Sequence, residues 1–319
     1  MSGGRIRGLS RGWNSGDIPD LAGRVAVVTG ANSGLGYVTA RELARKGARV
    51  VLACRSEARG RAAGDRMVAE VPDADVEFGR LDLGDLGSVR EFARSFPCDR
   101  LDLLVNNAGV MAPPYGTTAD GFETQFGVNH LGHFALTGLL MPLLLRAPGA
   151  RVVTVSSMMH VLANIDLDDV NSARRYRRWV AYARSKSANL LFTHELARRA
   201  EGQGAGPVAA AAHPGYAATG LQTAGPRAEG RRGTERMMAA ANAVFAQSAE
   251  AGALPTLYAA TAPGVRPDSF TGPSIAMWRG APAPSRRAPW TRDDTMARRL
   301  WDASERLSGV SYDAVLKAS

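Results

Sequence analysis

Residues 24–36, Arg-Val-Ala-Val-Val-Thr-Gly-Ala-Asn-Ser-Gly-Leu-Gly, run from an apolar β-branched stretch directly into a glycine-rich turn and an amphipathic segment. An apolar run without a polar face must be covered on both sides, the situation of a parallel strand between two layers of helices. Each glycine then has a physical purpose. Gly30 permits a tight turn, Gly34 lets backbone N–H groups approach a pyrophosphate, and Gly36 allows the following helix to pack closely on the sheet. A plain strand-to-helix turn is the competing reading of the same glycines, so the rest of the chain must decide between them.

The alternation continues downstream. Short β-branched runs at Arg24–Thr29, Ala48–Cys54, Asp75–Leu81, Leu101–Val105, Ala150–Ser156, Pro207–Ala212 and Ser269–Ile275 alternate with longer amphipathic segments. This predicts an α/β fold, a single Rossmann-type doubly wound domain with a seven-stranded, mainly parallel sheet and helices on both faces. Residues 1–22 read as an N-terminal extension and 23–319 as the domain. Ser88 is expected to cap a helix running through Ser95, with Pro97 just past its end. Residues 280–291, rich in proline and arginine, read as an extended surface segment before a final helix around Asp293–Arg306. Two stretches break the rhythm, 158–180 and 216–250. Ligands of such sheets sit beyond the carboxyl ends of the strands, so both are expected to be substrate-side elements.

Charge raises the question of a polyanionic partner, since the formal net charge is +9. The basic residues are spread along the chain and all but Lys46, Lys186 and Lys317 are arginine, which argues against a nucleic-acid patch. The densest run, Arg174-Arg175-Tyr176-Arg177-Arg178, reads as a solvated turn before a helix. Cys54 and Cys98 have no metal-ligand or disulfide-framework spacing, and a reducing, cytoplasmic setting is expected. Residues 1–16 carry Arg5, Arg7 and Arg11 but no apolar core, which reads against a signal peptide. The apolar run Phe134–Leu145 is shorter than the roughly 20 residues of a membrane span and contains Pro142, so no span is expected.

Tyr182-Ala-Arg-Ser-Lys186 carries the chemistry. The i, i+4 spacing puts both side chains on one helix face. Seven tyrosines and three lysines in 319 residues predict roughly 0.07 such pairs by chance. A phenol ionises near pKa 10, too high for efficient proton exchange at neutral pH, and an adjacent ammonium favours the phenolate. A solvent-exposed face with two unrelated residues is the alternative. His130 and His133 share a helix face but lack a third ligand at matching spacing, so they read as packing residues and no metal is expected.

The Thr29-Gly30-x-x-x-Gly34-x-Gly36 turn, Asn106-Asn107-Ala108-Gly109, Tyr182-x-x-x-Lys186 and Pro214-Gly215-x-x-x-Thr219 together resemble the short-chain dehydrogenase/reductase family over roughly residues 20–315. The resemblance implies a nicotinamide cofactor held by Gly30, Asn32, Ser33, Gly34, Leu35 and Gly36. It adds Asp82 and Leu83 at the adenine, and Asn107, Ala108 and Gly109 beside the fourth strand. Tyr182 and Lys186 would reach the ribose, with Pro214, Gly215 and Thr219 at the nicotinamide amide and phosphate. Asp82 can also be read as a local cap. Arg55, at the end of the second strand where an acidic residue would select NAD(H), favours NADP(H) by pairing with a 2′-phosphate.

The same resemblance assigns Ser157 the role of hydrogen-bonding the reacting oxygen, with Ser156 as the alternative, and Asn129 that of holding a helix open for a water-linked proton relay, with local backbone capping as its alternative. Ser157 precedes Tyr182 by 25 residues, longer than in ordinary members. With Asn129-His-Leu-Gly-His-Phe134 and Ala53-Cys-Arg55, this looks like the retinol dehydrogenase and protochlorophyllide reductase-like branch, whose members often take large lipophilic substrates. The expected function is interconversion of a small-molecule carbonyl/alcohol pair by hydride transfer, with Tyr182 as general acid/base. Reduction of an activated C=C bond and a catalytically silent NADP(H)-binding protein are the rivals. Leu221, Met237, Met238 and Phe245 would line an apolar pocket or merely pack a helix. A homodimer through the helices carrying Asn129 and Tyr182 is also implied, with residues 158–180 as an obstacle to it.

Overall fold

In the computed structural model, which describes residues 12–201, 206–215 and 247–312, strand β1 (Val25–Thr29) sits inside a single sheet. It is flanked by β2 (Arg49–Cys54) and β3 (Val76–Arg80) on one side. On the other lie β4 (Leu103–Asn106), β5 (Arg151–Val155), β6 (Val208–Ala212), β7 (Phe270–Ile275) and β8 (Arg279–Pro284). The order is β3-β2-β1-β4-β5-β6-β7-β8. The direction of winding reverses between β1 and β4, which makes their carboxyl ends the place for a ligand.

Period-two alternation sorts the strand residues between two cores. Ala26, Val28, Val50, Leu52, Leu103 and Val105 face α1 (Gly34–Arg45), α2 (Glu57–Glu70) and α6 (Ala249–Thr261). Val27, Val51, Leu104 and Val152 face the opposite core, built with α3 (Leu86–Arg94), the long helix α4 (Thr124–Leu145), α5 (Arg178–Glu201) and α7 (Asp294–Ser308). Trp13, Ile18 and Leu21 pack on the first core, ahead of β1.

The sheet has eight strands rather than seven. The chain from Arg279 to Pro284 is extended, as its composition implied, but it also pairs antiparallel with β7, Pro273 lying opposite Pro282 and Thr271 opposite Pro284. Proline is tolerated there because β8 is an edge strand, whose outward N–H groups need no partner. The connecting turn places Ala276 and Met277 at φ 50° and 60°, with Trp278 N–H donating to Ile275 O at 2.9 Å. Such a left-handed turn suits a hairpin, but it is made without the glycine or asparagine that would announce it.

Asp85, not Ser88, caps α3, its carboxylate accepting from the N–H groups of Gly87 and Ser88. Ser88 Oγ accepts instead from Asp82 N–H at 3.0 Å, tying the end of β3 to α3. The apolar run Phe134–Leu145 continues backwards into Thr124–Leu145, 22 residues that are long and apolar enough to cross a membrane; 72% of the most apolar window is buried inside the fold. Phe134, Leu136, Leu140 and Met141 are fully buried. Phe134 and Phe192 meet Trp301 and Tyr312 in one aromatic cluster, and Tyr312 Oη donates to Phe134 O at 2.6 Å. Helix α7 and the segment after it thus pack against α4 and α5.

Candidate active site

The turn after β1 is braced from the neighbouring strand. Gly30 has φ 68° and its N–H donates to Ala53 O at 2.8 Å. Thr29 Oγ1 accepts from the N–H groups of Asn107 and Ala108, both at 2.9 Å, while Asn107 Nδ2 donates to Thr29 O at 2.8 Å. A Cβ on Gly36 would lie 2.5 Å from both Gly30 O and Asn107 Nδ2. Asn107 thus shapes the glycine turn through its side chain. Helix α1 starts at Gly34 behind Ser33, whose side chain makes no capping hydrogen bond. The first N–H groups of this 12-residue helix are left for an outside acceptor, which fits the phosphates of a dinucleotide.

Arg55 follows β2 directly and is exposed, with Ser56 capping α2 through the N–H of Arg59. Arg59 is exposed too, in the first turn of α2. Burial pushes the adjacent Cys54 thiol up to about 11, leaving it a protonated packing group. Asp82 Oδ1 accepts from Gly84 N–H at 2.9 Å, so it does serve its own turn, and Leu83 is buried.

Four side chains converge where β4, β5 and α5 meet. Tyr182 and Lys186 are both nearly buried, at 5% and 4% exposure, and Lys186 Nζ lies 5.8 Å from the centre of the Tyr182 ring. Lys186 Nζ donates to Val155 O at 3.0 Å, a carbonyl that also accepts from Asn189 Nδ2 at 3.1 Å. The Ser157 side chain is near enough to the Tyr182 phenol to act on its ionisation, and its Oγ accepts from Met159 N–H at 3.2 Å. Ser156, the alternative serine, is buried and its Oγ donates to Lys186 O at 2.9 Å. Ser157 is held from behind by His160, whose Nδ1 lies 2.6 Å from Ser157 O while its Nε2 accepts from Ala288 N–H.

Asn129 sits in a π-helical turn, Gly127–Leu131, within α4. Its side chain clasps Val110, accepting from the N–H at 2.7 Å and donating to the carbonyl at 2.9 Å, and also donates to Ser185 Oγ at 3.0 Å. Ser185 Oγ in turn donates to Tyr182 O. His133 Nδ1, one turn on, lies 3.1 Å from the Asn129 carbonyl oxygen. A Cβ on Gly109 would fall 3.0 Å from Asn129 Oδ1 and 3.6 Å from Lys186 Nζ, so this glycine keeps open the space between them. Sequence reasoning missed Ser185, Asn189 and His160; the first two lie at i+3 and i+7 from Tyr182, on the face the pair already defined.

Burial drives the Tyr182 phenol up to about 12, with the Ser157 side chain acting the other way, and burial brings the Lys186 ammonium down to about 8. Within the protein alone, desolvation dominates at the phenol. His130 and His133 are driven to about 3 and about 4, foremost by burial, so both are neutral packing groups. Pro214 and Gly215 follow β6, with Gly215 at φ 65° and its N–H donating to His213 Nδ1 at 3.2 Å. Thr219, Leu221, Met237, Met238 and Phe245 lie outside the described residues.

A doubly wound sheet with a glycine cradle at its switch point and a serine, a tyrosine and a lysine beside it defines a nicotinamide-dependent oxidoreductase. The chain belongs to the short chain dehydrogenase family, whose model matches residues 24–229. It is 41% identical over 297 residues to Retinol dehydrogenase 12 of Homo sapiens, covering 92% of this chain and 89% of that protein, which puts it in the retinol dehydrogenase-like branch. Among solved structures it resembles an uncharacterized protein from Mycobacterium Paratuberculosis, with 45% identity, a TM-score of 0.78 and coverage of 95% and 99% of the two chains. It also resembles a gluconate 5-dehydrogenase from Beutenbergia cavernae with bound NADP, at 28% identity and a TM-score of 0.57, over 76% of this chain and 91% of that one. The protein is accordingly an oxidoreductase of CH–OH or C=O groups that uses NAD(P).

Proposed function

We propose that the protein interconverts a carbonyl and an alcohol with NADP(H), using Tyr182 as the general acid/base, on a lipophilic substrate. The observation that carries the reading is the convergence of the Ser157 hydroxyl, the Tyr182 phenol and the Lys186 ammonium at the carboxyl ends of β4 and β5. When bound, the nicotinamide supplies or accepts the hydride at the carbonyl carbon. In reduction, Ser157 donates a hydrogen bond to the carbonyl oxygen and orients it on the phenol. Tyr182 delivers the proton to that oxygen, and Lys186, held on Val155 O, provides the positive charge that favours the resulting phenolate. The π turn around Asn129 and the space guarded by Gly109 would provide a route for resupplying the proton through water.

Arg55 supports NADP(H), since it is exposed directly after β2, and the similar protein from Beutenbergia cavernae has bound NADP. Lipophilic substrates are supported by Tyr115, Val161, Leu162 and Trp179, all large, exposed and following the strands' carboxyl ends. The unpaired thiols Cys54 and Cys98 suit a reducing, cytoplasmic setting. Steady-state oxidation of NADPH and NADH with a panel of aldehydes and ketones tests the reading. The expected result is alcohol product, a lower KM for NADPH, and loss of at least tenfold of that preference in Arg55→Ala. A saturated C–C product with the carbonyl intact, or an unaltered preference, contradicts it.

A further inference from the structure

His213 directly follows β6, ahead of the turn at Pro214 and Gly215, and is fully buried, yet it takes no part in the chemistry at Tyr182. Both of its ring nitrogens are committed. Nδ1 accepts from Gly215 N–H at 3.2 Å, so the proton lies on Nε2, which donates to Ser285 Oγ at 2.8 Å. Burial brings the imidazole down to about 4, with His160 acting in the same direction, so the ring is neutral and keeps this one tautomer. It has no room to shift. A Cβ on Gly272 of β7 would lie 1.9 Å from Nε2, and the Phe270 ring packs on the imidazole at 5.0 Å. The backbone is fixed as well, His213 N–H donating to Thr271 O at 2.9 Å.

The far end of this link is equally firm. Ser285 N–H donates to Phe270 O at 2.8 Å. Two residues on, the buried Arg287 side chain pairs through both terminal nitrogens with Asp268, and Ala288 N–H donates to His160 Nε2 at 3.1 Å. Residues 285–288 thus back the Ser157 turn through one histidine and the Gly215 turn through another. On its other side the Gly215 turn, at φ 65°, lies against the β7–β8 hairpin, where a Cβ would fall 2.4 Å from Trp278 O. We propose that His213 is a positioning residue for the nicotinamide end of the cofactor, carrying the fixed position of Ser285 to the Gly215 backbone. This rests on the nicotinamide reading of the site, with Pro214 and Gly215 at the carboxamide. A turn held in this way is ordered before the cofactor arrives, so the link acts on the nicotinamide half and leaves the adenosine half alone.

Two variants cut the link. Ser285→Ala removes the acceptor of the Nε2 proton, while His213→Asn keeps a side-chain oxygen for Gly215 N–H but is too short to reach Ser285. Titration calorimetry then compares NADPH with 2′,5′-ADP, which lacks the nicotinamide. Loss of one hydrogen bond of this kind weakens NADPH binding roughly three- to tenfold in both variants, while 2′,5′-ADP stays within about twofold. Wild-type NADPH affinity in either variant, or an equal loss on both ligands, overturns the proposal. Should His213→Asn fail to fold, Ser285→Ala decides alone. If wild type prefers NADH, then NADH and ADP replace the two ligands. A wild type that binds neither dinucleotide ends the nicotinamide reading and the proposal with it. Turnover enters neither measurement, so failure of the carbonyl reading shows itself separately.

Discussion

Replacing Gly36 by alanine puts one methyl group where the glycine turn and the Asn107 side chain close together. The new Cβ would lie 2.5 Å from Gly30 O and 2.5 Å from Asn107 Nδ2. Ordinary C···O contacts are about 3.3 Å or longer, so something must move by about 0.8 Å. Neither neighbour is loose, since Gly30 is pinned to Ala53 O and Asn107 to Thr29 O. Overpacking of this kind costs about 1–3 kcal/mol, and the better helix propensity of alanine returns about 1 kcal/mol at most. The net loss of about 1–2 kcal/mol lowers Tm by roughly 1.5–3 °C for a chain of this size. Because the turn that moves is the cradle for the phosphates, the rise in Tm on adding NADPH should shrink as well. Gly64→Ala is the control, since its Cβ meets only Leu52 Cδ1 at 3.8 Å inside α2 and should gain about 0.5–1 kcal/mol. Thermal unfolding with and without NADPH measures both. A Gly36→Ala protein as stable as Gly64→Ala, with the full NADPH response, would refute the close-approach argument.

Two further perturbations separate structural from chemical roles. Ser156→Ala removes the bond to Lys186 O and should cost about 0.5–1.5 kcal/mol in urea unfolding with modest kinetic effect; Ser157→Ala should spare stability and lower kcat roughly 10²–10³-fold, and reversed phenotypes would exchange the two assignments. His194 bridges Asp268 and Asp294, each at 2.8 Å, with Arg287 also on Asp268, and its pKa is raised first by the Asp268 hydrogen bond and then by Asp294, against burial. A raised histidine contributes its full stability below about pH 6.5 and loses it as pH climbs through the folded value. His194→Gln should therefore be most destabilised relative to wild type near pH 6 and approach it at pH 9, whereas a gap that widens with pH contradicts the imidazolium bridge.

Periodicity made most of the fold legible, because seven strands are short, apolar and separated by amphipathic segments. Strand β8 escaped since Pro282 and Pro284 read against pairing, and only its place at the edge makes them harmless. The cap of α3 was misjudged because Ser88 and Asp85 are both capping residues, and the chain direction at the turn after β3 decides which one faces the helix. At the site, the spacing of Tyr182 and Lys186 was sufficient to find two buried side chains that the fold does bring together. Ser157 was read ahead of Ser156 from the family resemblance alone; both follow β5 directly, and only the fold shows Ser156 Oγ spent on Lys186 O. The raised phenol pKa was invisible for a related reason, as desolvation depends on what the whole fold stacks over a side chain.

Tyr182→Phe most directly tests the acid/base assignment, because it deletes one hydroxyl from a ring whose packing is otherwise retained. Measured by stopped-flow turnover of NADPH with the best carbonyl from the panel, and by NADPH fluorescence for binding, the variant should lose roughly 10²–10⁴ in kcat while Kd for NADPH stays within about twofold. A variant that keeps kcat within about tenfold of wild type, at unaltered NADPH affinity, would contradict the role assigned to Tyr182.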